Sequence, residues 1–382
     1  MTDDRTAALA HQDLLAGRYL TAWARLREAG GDRRDDLWNM WFWTLLAVDP
    51  WGEGWPVEAG EPQAPADTLA GAEPGGLAAV ADLAAGAMAA GQVVVVMERH
   101  ALPETRWAGV RLLPALRRAG ATHLAFETWL QDPLDQARRD RVVRARTAPY
   151  MFEPSRAALL RTAIRLGLEL VAFDGPSDPA IRAAIIERRE IPTDVNRRRE
   201  RWMAENVHRL VTDRPDARVV VWTGGQHAWR RVPDYYSVPF FDSWARDPTM
   251  AAVLAELSGR DPYCVGQAVV RDQAPREPGF AGAGHPWAAA HGQDAVLVHF
   301  RGGPPGRPAW LQEGRRPVTL PTWQARLVQA FPEAEGPEAV PAEQAIARST
   351  TVELALAPGR YRCRGLDEHD RPVWQRSLQV RP

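Results

Sequence analysis

Val93-Val94-Val95-Val96-Met97-Glu98-Arg99-His100 decides how this chain is read. Four successive β-branched residues are the mark of a strand buried on both faces, as in a parallel sheet covered by helices. About 120 residues later the pattern returns as Val219-Val220-Val221-Trp222-Thr223-Gly224-Gly225-Gln226-His227. Each run delivers a histidine just past its last apolar position. Open α/β sheets place their chemistry in the loops at the carboxyl ends of the strands, so the two runs together predict an enzyme-like site.

Working outward, residues 77–300 alternate helix and strand patterns and predict a mainly parallel sheet flanked by helices. Strands are expected at 93–97, 123–127, 168–174, 217–223, 265–270 and 295–300. Helices are expected at 104–119, 154–166, 179–189 and 195–212. Pro103, Pro154 and Pro179 stand where a helix N-terminus accepts proline. Residues 1–50 read as a helical cap of two helices broken at Gly30-Gly31, and 51–76, dense in Pro, Gly and acidic residues, as a linker. Gly302 to Gly306 predicts a second linker, and 308–382, with short alternating runs between turn signals, a small accessory β-sandwich.

The 382 residues, 45% hydrophobic and 25% charged, suit an ordinary globular protein. A net charge of −1 supplies no field for nucleic acid or an anionic membrane. All 47 basic residues are arginine, since the chain has no lysine. That removes the Walker A lysine, the Schiff-base lysine and the kinase strand lysine, and with them the chemistries they serve. Two cysteines, Cys264 and Cys363, form neither a zinc pattern nor a disulfide framework. The acidic start Met1-Thr2-Asp3-Asp4-Arg5 lacks the apolar run of a signal peptide, and no 18-residue apolar stretch occurs. The expectation is a cytoplasmic protein with no membrane or nucleic-acid partner, acting on a small-molecule or peptide substrate.

In a parallel sheet the strand ends lie on one edge. Glu98 and His100 end the first strand, Glu104 opens the next helix, Glu127 ends the second strand, Asp174 the third, and His227 follows the fourth. Two imidazoles with several carboxylates suit a general base that activates water, or a divalent metal held by His100, Glu127 and His227. Glu104 also suits favourable charge in a first helical turn, and Asp174 before Gly175-Pro176 suits a turn. Arg199 belongs to an arginine run that reads equally as a solvated helix face, but it shares one helical face with Met203 and Asn206. His285, His291 and His299 are expected in surface loops, and Trp107, Trp129, Trp222 and Trp229 as pocket walls or core.

These ordered motifs resemble the superfamily that joins erythromycin esterases, ChaN-like haem-uptake proteins and TIKI metalloproteases. Its first motif, Gly-Glu-x-(x)-His after a strand, is matched by Glu98 to Glu104, and its second strand end by Leu124-Ala125-Phe126-Glu127. Leu112 to Leu116 and Gly120 match the intervening helix and its terminal glycine. Arg199-Glu200-Arg201-Trp202-Met203-Ala204-Glu205-Asn206 is similar to the esterase signature Arg-x-x-x-Met-Ala-x-Asn, and Val219 to His227 to the later strand with its histidine. Met97 departs from the pattern, which has glycine there. The resemblance spans roughly residues 90–300 and implies a hydrolase with Glu98, His100, Glu104, Glu127, Arg199 and His227 as catalytic residues. In that reading His100 is the base and His227 and Arg199 stabilise the oxyanion. The TIKI branch implies a divalent metal; the ChaN branch implies a non-catalytic haem or metal binder. A degenerate member serving protein interaction is the remaining alternative.

Overall fold

A computed structural model describes residues 3–31, 35–49, 69, 72–100, 102–176, 181, 195–233, 248–271, 277–301 and 313–382. Most of the expected 51–76 linker, and the 179–189 helix apart from residue 181, fall outside them. The chain forms two compact units. One comprises Met1–Ala59, Gln136–Arg161 and Pro304–Pro382; the other comprises Gly60–Asp135 and Thr162–Gly303.

The second unit is the α/β sheet. Its strands are β1 (Val94–Glu98), β2 (His123–Phe126), β3 (Glu169–Ala172), β4 (Val219–Gly224), β5 (Tyr263–Arg271), β6 (Gly279–Gly282) and β7 (Ala295–Arg301), in the order β3-β2-β4-β1-β5-β7-β6. All neighbours are parallel except β6, which runs antiparallel to β7 at one edge. β1 and β4 are buried along their whole length, as their valine runs require. Val95, Met97, Val219 and Val221 pack with Met203, Ala204 and Val207, and with Met250 and Leu254. Each fully buried valine contributes roughly 1.5–3 kcal/mol relative to exposure. The β6 strand is not evident from sequence, because Gly279 and Gly282 bracket it and glycine lowers strand propensity. Gly279 is glycine for space: a β-carbon there would fall 2.9 Å from Ala72 Cβ and 3.1 Å from Phe300 Cε2.

The first unit opens with α1 (Asp3–Leu15), α2 (Tyr19–Glu28) and α3 (Asp35–Val48). Three helices stand where two were expected, because Gly17 takes a left-handed φ of 73° and ends α1 within what reads as one apolar stripe. The helices of the second unit include α4 (Gly76–Ala89) and α5 (Pro103–Arg118). They are followed along the chain by α6 (Gln131–Asp140), α7 (Pro154–Arg165), α8 (Val195–Asp213), α9 (Met250–Ser258) and α10 (Pro286–His291).

The C-terminal strands are β8 (Arg316–Pro321), β9 (Leu327–Pro332), β10 (Glu343–Ile346), β11 (Thr351–Leu356), β12 (Gly359–Leu366) and β13 (Pro372–Val380). They form an antiparallel sheet β10-β9-β12-β13 and a two-stranded sheet β11-β8. Leu320, Leu354 and Leu356 from the small sheet share a core with Val328, Ala330, Tyr361 and Cys363 from the large one, which makes the expected sandwich. Among the described residues no helix is long and apolar enough to cross a membrane.

Candidate functional site

Register brings the motif residues to one edge. Glu98 pairs with Gly224 and Met97 with Thr223 across β1 and β4, while Phe126 stands between Trp222 and Ala172 across β2. Glu127 and Asp174 therefore leave β2 and β3 at the level of Thr223 and Gly224.

Glu98 is fully buried, and its carboxylate is held by donors that include His100, Arg106 and Trp222. His100 Nδ1 lies 2.9 Å and Arg106 Nη1 3.4 Å from Oε1, and Trp222 Nε1 donates to Oε2 at 2.6 Å. Arg106, also fully buried in the first turns of α5, donates to the His100 carbonyl at 3.1 Å. A carboxylate can only accept, so Nδ1 carries the proton and Nε2 is the basic nitrogen of the neutral ring. The His100 side chain is 36% exposed. Its ring rests on Gly224, where a β-carbon would lie 2.4 Å from Nε2.

Glu127 organises the other side. Its Oε2 accepts the Gly224 N–H at 2.6 Å and the Thr223 hydroxyl at 3.2 Å, and its Oε1 accepts Arg199 Nη2 at 2.6 Å. Asp174 takes Arg199 in a fork, Oδ1 to Nε and Oδ2 to Nη2, both at 2.8 Å. Burial works against the Arg199 cation, but the charge and hydrogen bonds of Asp174 and the charge of Glu127 outweigh it and raise the pKa well above the ordinary value. Asn206, two turns along α8, donates to the Phe173 and Gly175 carbonyls at 2.9 Å and fixes the loop that carries Asp174.

His227 sits on a 3-10 turn, Gly225–Ala228, and is buried. Its Nδ1 lies 2.6 Å from Glu200 Oε1, whose Oε2 accepts the Met250 N–H at 2.6 Å. Burial disfavours the imidazolium, yet the Glu200 charge and hydrogen bond prevail and raise the His227 pKa above 6.5. Two carboxylate-imidazole pairs thus flank Gly224: one partly open, one buried.

Of the residues expected from sequence, Glu98 and His100 pair directly, Glu127, Asp174 and Arg199 form a second cluster, and His227 pairs with Glu200. Glu104 lies buried in the first turn of α5, and the carboxylate that holds His100 is Glu98. Arg199 is held by two carboxylates through its Nε and Nη2. Among the described residues no group of three or more His, Cys, Asp or Glu side chains is arranged to hold a metal ion. Of the three residues expected to hold a divalent metal, Glu127 is paired with Arg199 at 2.6 Å, His100 with Glu98 at 2.9 Å and His227 with Glu200 at 2.6 Å.

Sequence reading missed Glu200, Arg106 and Gln267 as site residues. Gln267 is buried; its Nε2 donates to the Met97 carbonyl at 2.5 Å and to the Thr105 carbonyl at 3.2 Å, and its Oε1 lies 2.8 Å from His299 Nε2. His291 and His299, expected in surface loops, are buried. His299 ends in a strand interior, where burial, with the Arg99 charge, pushes its pKa down to about 3. His291 Nδ1 bonds the Trp287 carbonyl at 2.7 Å, and its ring lies between Trp229 and Trp287. Met97 packs in the core beneath the site.

No family model matches the chain, and no curated protein matches its sequence. Among solved structures the chain is similar to "The structure of the type III effector HopBA1", at 13% identity and a TM-score of 0.34, over 64% of this chain and 99% of that one.

Proposed function

We propose that the protein is a hydrolase that attacks an ester or lactone with a water molecule activated by the His100–Glu98 pair. The observation that carries this reading is the 2.9 Å contact between His100 Nδ1 and the buried Glu98 carboxylate, in a ring that keeps solvent access. A carboxylate on Nδ1 fixes the tautomer and stabilises the imidazolium that forms when Nε2 takes a proton. Water oxygen bonds to the carbonyl carbon as its proton passes to Nε2. The tetrahedral intermediate then collapses with cleavage of the C–O bond, and the alkoxide takes a proton from His227, which Glu200 favours in its protonated form. Arg199, with Glu127 and Asp174, holds the Gly224 backbone under the His100 ring. This reading accords with the esterase branch of the resemblance. A cytoplasmic setting accords with two buried free cysteines, whose thiol pKa values burial raises, Cys363 to about 11.

The test is hydrolysis of p-nitrophenyl butyrate and a panel of γ- and macrocyclic lactones at constant pH, by wild type and His100→Ala, with and without a chelator. Removal of a general base is expected to slow turnover by about 10²–10⁴-fold, with thermal melting unchanged and no effect of the chelator. A folded wild type that cleaves none of the panel, or equal rates in the variant, would overturn the reading. Activity lost on chelation would replace the metal-free mechanism.

A further inference from the structure

Among the described residues of the first unit, Arg364 on β12 has only neutral hydrogen-bonding and stacking partners. Its Nε donates to Gln329 Oε1 at 2.8 Å, and its guanidinium carbon lies 4.7 Å from the centroid of the Phe331 ring. Gln329 is itself fixed: its Nε2 donates to Gln344 Oε1 at 2.5 Å, and Gln344 Nε2 donates to the Ala47 carbonyl at 2.5 Å. Both amides are buried, so a relay ending on backbone orients the guanidinium. Among the described residues no hydrogen bond to its Nη1 or Nη2 is formed.

The guanidinium borders a cleft of about 460 Å³, within the range of small-molecule sites. Leu14, Leu15, Tyr19 and Phe331 supply apolar wall, and Arg146 lies on the same rim. Arg146 is exposed and carries no side-chain partner among the described residues. The carboxylate on the rim, Glu338, pairs with Arg144 at 3.1 Å. Asp370 is engaged by the backbone N–H groups of Leu20 and Thr21 at 3.0 and 2.8 Å. Burial, with the neighbouring charge of Arg362, lowers the Arg364 pKa against the opposing influence of Tyr19 and Asp370.

We propose that this cleft binds a compact organic anion, its carboxylate or phosphate group on the Arg364 fork and Arg146, and its apolar body against Leu14, Leu15 and Phe331. A planar fork with its Nη groups unspent matches two anionic oxygens, and pre-orientation by the amide relay lowers the entropic cost of binding.

The experiment is calorimetric titration at low ionic strength with phenyl phosphate, benzoate and inorganic phosphate, on wild type, Arg364→Gln and Arg146→Gln. Saturable binding of phenyl phosphate or benzoate is expected, weakened about tenfold or more in Arg364→Gln and less in Arg146→Gln. Tighter phenyl phosphate than benzoate would assign the anion as phosphate; the reverse would assign it as carboxylate. Inorganic phosphate is expected to bind more weakly than phenyl phosphate, for want of an apolar body. Absence of saturable binding to wild type overturns the proposal, as does binding equal in both variants or lost in His227→Ala in place of them. Should Arg364→Gln not melt cooperatively, Arg146→Gln decides, since that exposed side chain supports no packing. Ester hydrolysis plays no part in the readout, so this site and the proposed hydrolase stand or fall separately.

Discussion

The His100 ring lies against the α-carbon of Gly224: a methyl group there would sit 2.3 Å from Cε1 and 2.4 Å from Nε2. Gly224 has φ −82° and ψ 157°, a conformation open to any residue, so it is glycine for space and not for backbone freedom. Gly224→Ala is expected to displace the imidazole from Glu98 and slow ester hydrolysis by about 10²-fold, the scale for a misplaced reacting group. Overpacking is expected to cost about 1–3 kcal/mol in denaturant unfolding. Unchanged turnover in Gly224→Ala would separate His100 from the chemistry.

Arg199 balances two carboxylates in a pocket where its own side chain is 20% exposed and those of Glu127 and Asp174 are 10% and 5% exposed. Arg199→Met leaves both anions without their cation and is expected to cost about 3–5 kcal/mol. Arg199→Met/Asp174→Asn is expected to recover part of that loss, because one orphaned charge is removed with the cation. Equilibrium urea unfolding of the single and double variants checks the order; a double variant less stable than the single would show that the fork is not the source of the cost.

What could be read from sequence is what local pattern encodes. Four consecutive valines require a doubly covered strand, and strand ends in a parallel sheet share an edge, so the pattern alone puts Glu98, His100, Glu127, Asp174 and His227 at one edge. Glu200 escaped because helical spacing selected the Arg199, Met203 and Asn206 face, whereas consecutive residues of α8 serve different partners: Arg199 reaches β2 and β3, and Glu200 reaches His227. The Glu98–His100 pair is two residues apart and was within reach of pattern; the Glu200–His227 pair is 27 residues apart and depends on how α8 packs. Polarity misled for His291 and His299, since a buried neutral imidazole with one good acceptor or donor is compatible with a core. Gly17 divided α1 from α2 without disturbing the apolar stripe that crosses it.

Two histidines should shape the pH dependence of stability from opposite sides. The His227 pKa is raised by Glu200, so the stabilisation is complete below pH 6.5 and is lost as pH rises through the folded value. The His299 pKa is lowered to about 3, so the unfolded chain takes up the extra proton and stability falls as pH drops from 6.5 toward 3. Melting temperature against pH is therefore expected to show a shallower alkaline limb in Glu200→Gln and a shallower acid limb in His299→Gln, which keeps a donor to Gln267. Parallel curves for wild type and both variants would contradict the two assignments.

Gln267 ties β5 to the two segments that present the proposed base, through the Met97 carbonyl just before Glu98 and the Thr105 carbonyl just before Arg106. Glu98 and Arg106 make contact with each other and with His100, so loosening either carbonyl loosens the pair. Gln267→Leu removes both donors from buried acceptors and orphans the His299 donor, at about 1–3 kcal/mol for each unsatisfied group. A merely structural loss would lower melting temperature and leave the turnover of the folded fraction unchanged. Positioning predicts more: below the melting range, kcat for ester hydrolysis falls while KM stays near the wild-type value, because the reacting nitrogen is misdirected and the substrate walls are intact. Gln267→Glu, which keeps an acceptor for His299 but cannot donate to the Met97 carbonyl when ionised, is expected to fall in kcat as well. Wild-type kcat in both variants would confine Gln267 to the core.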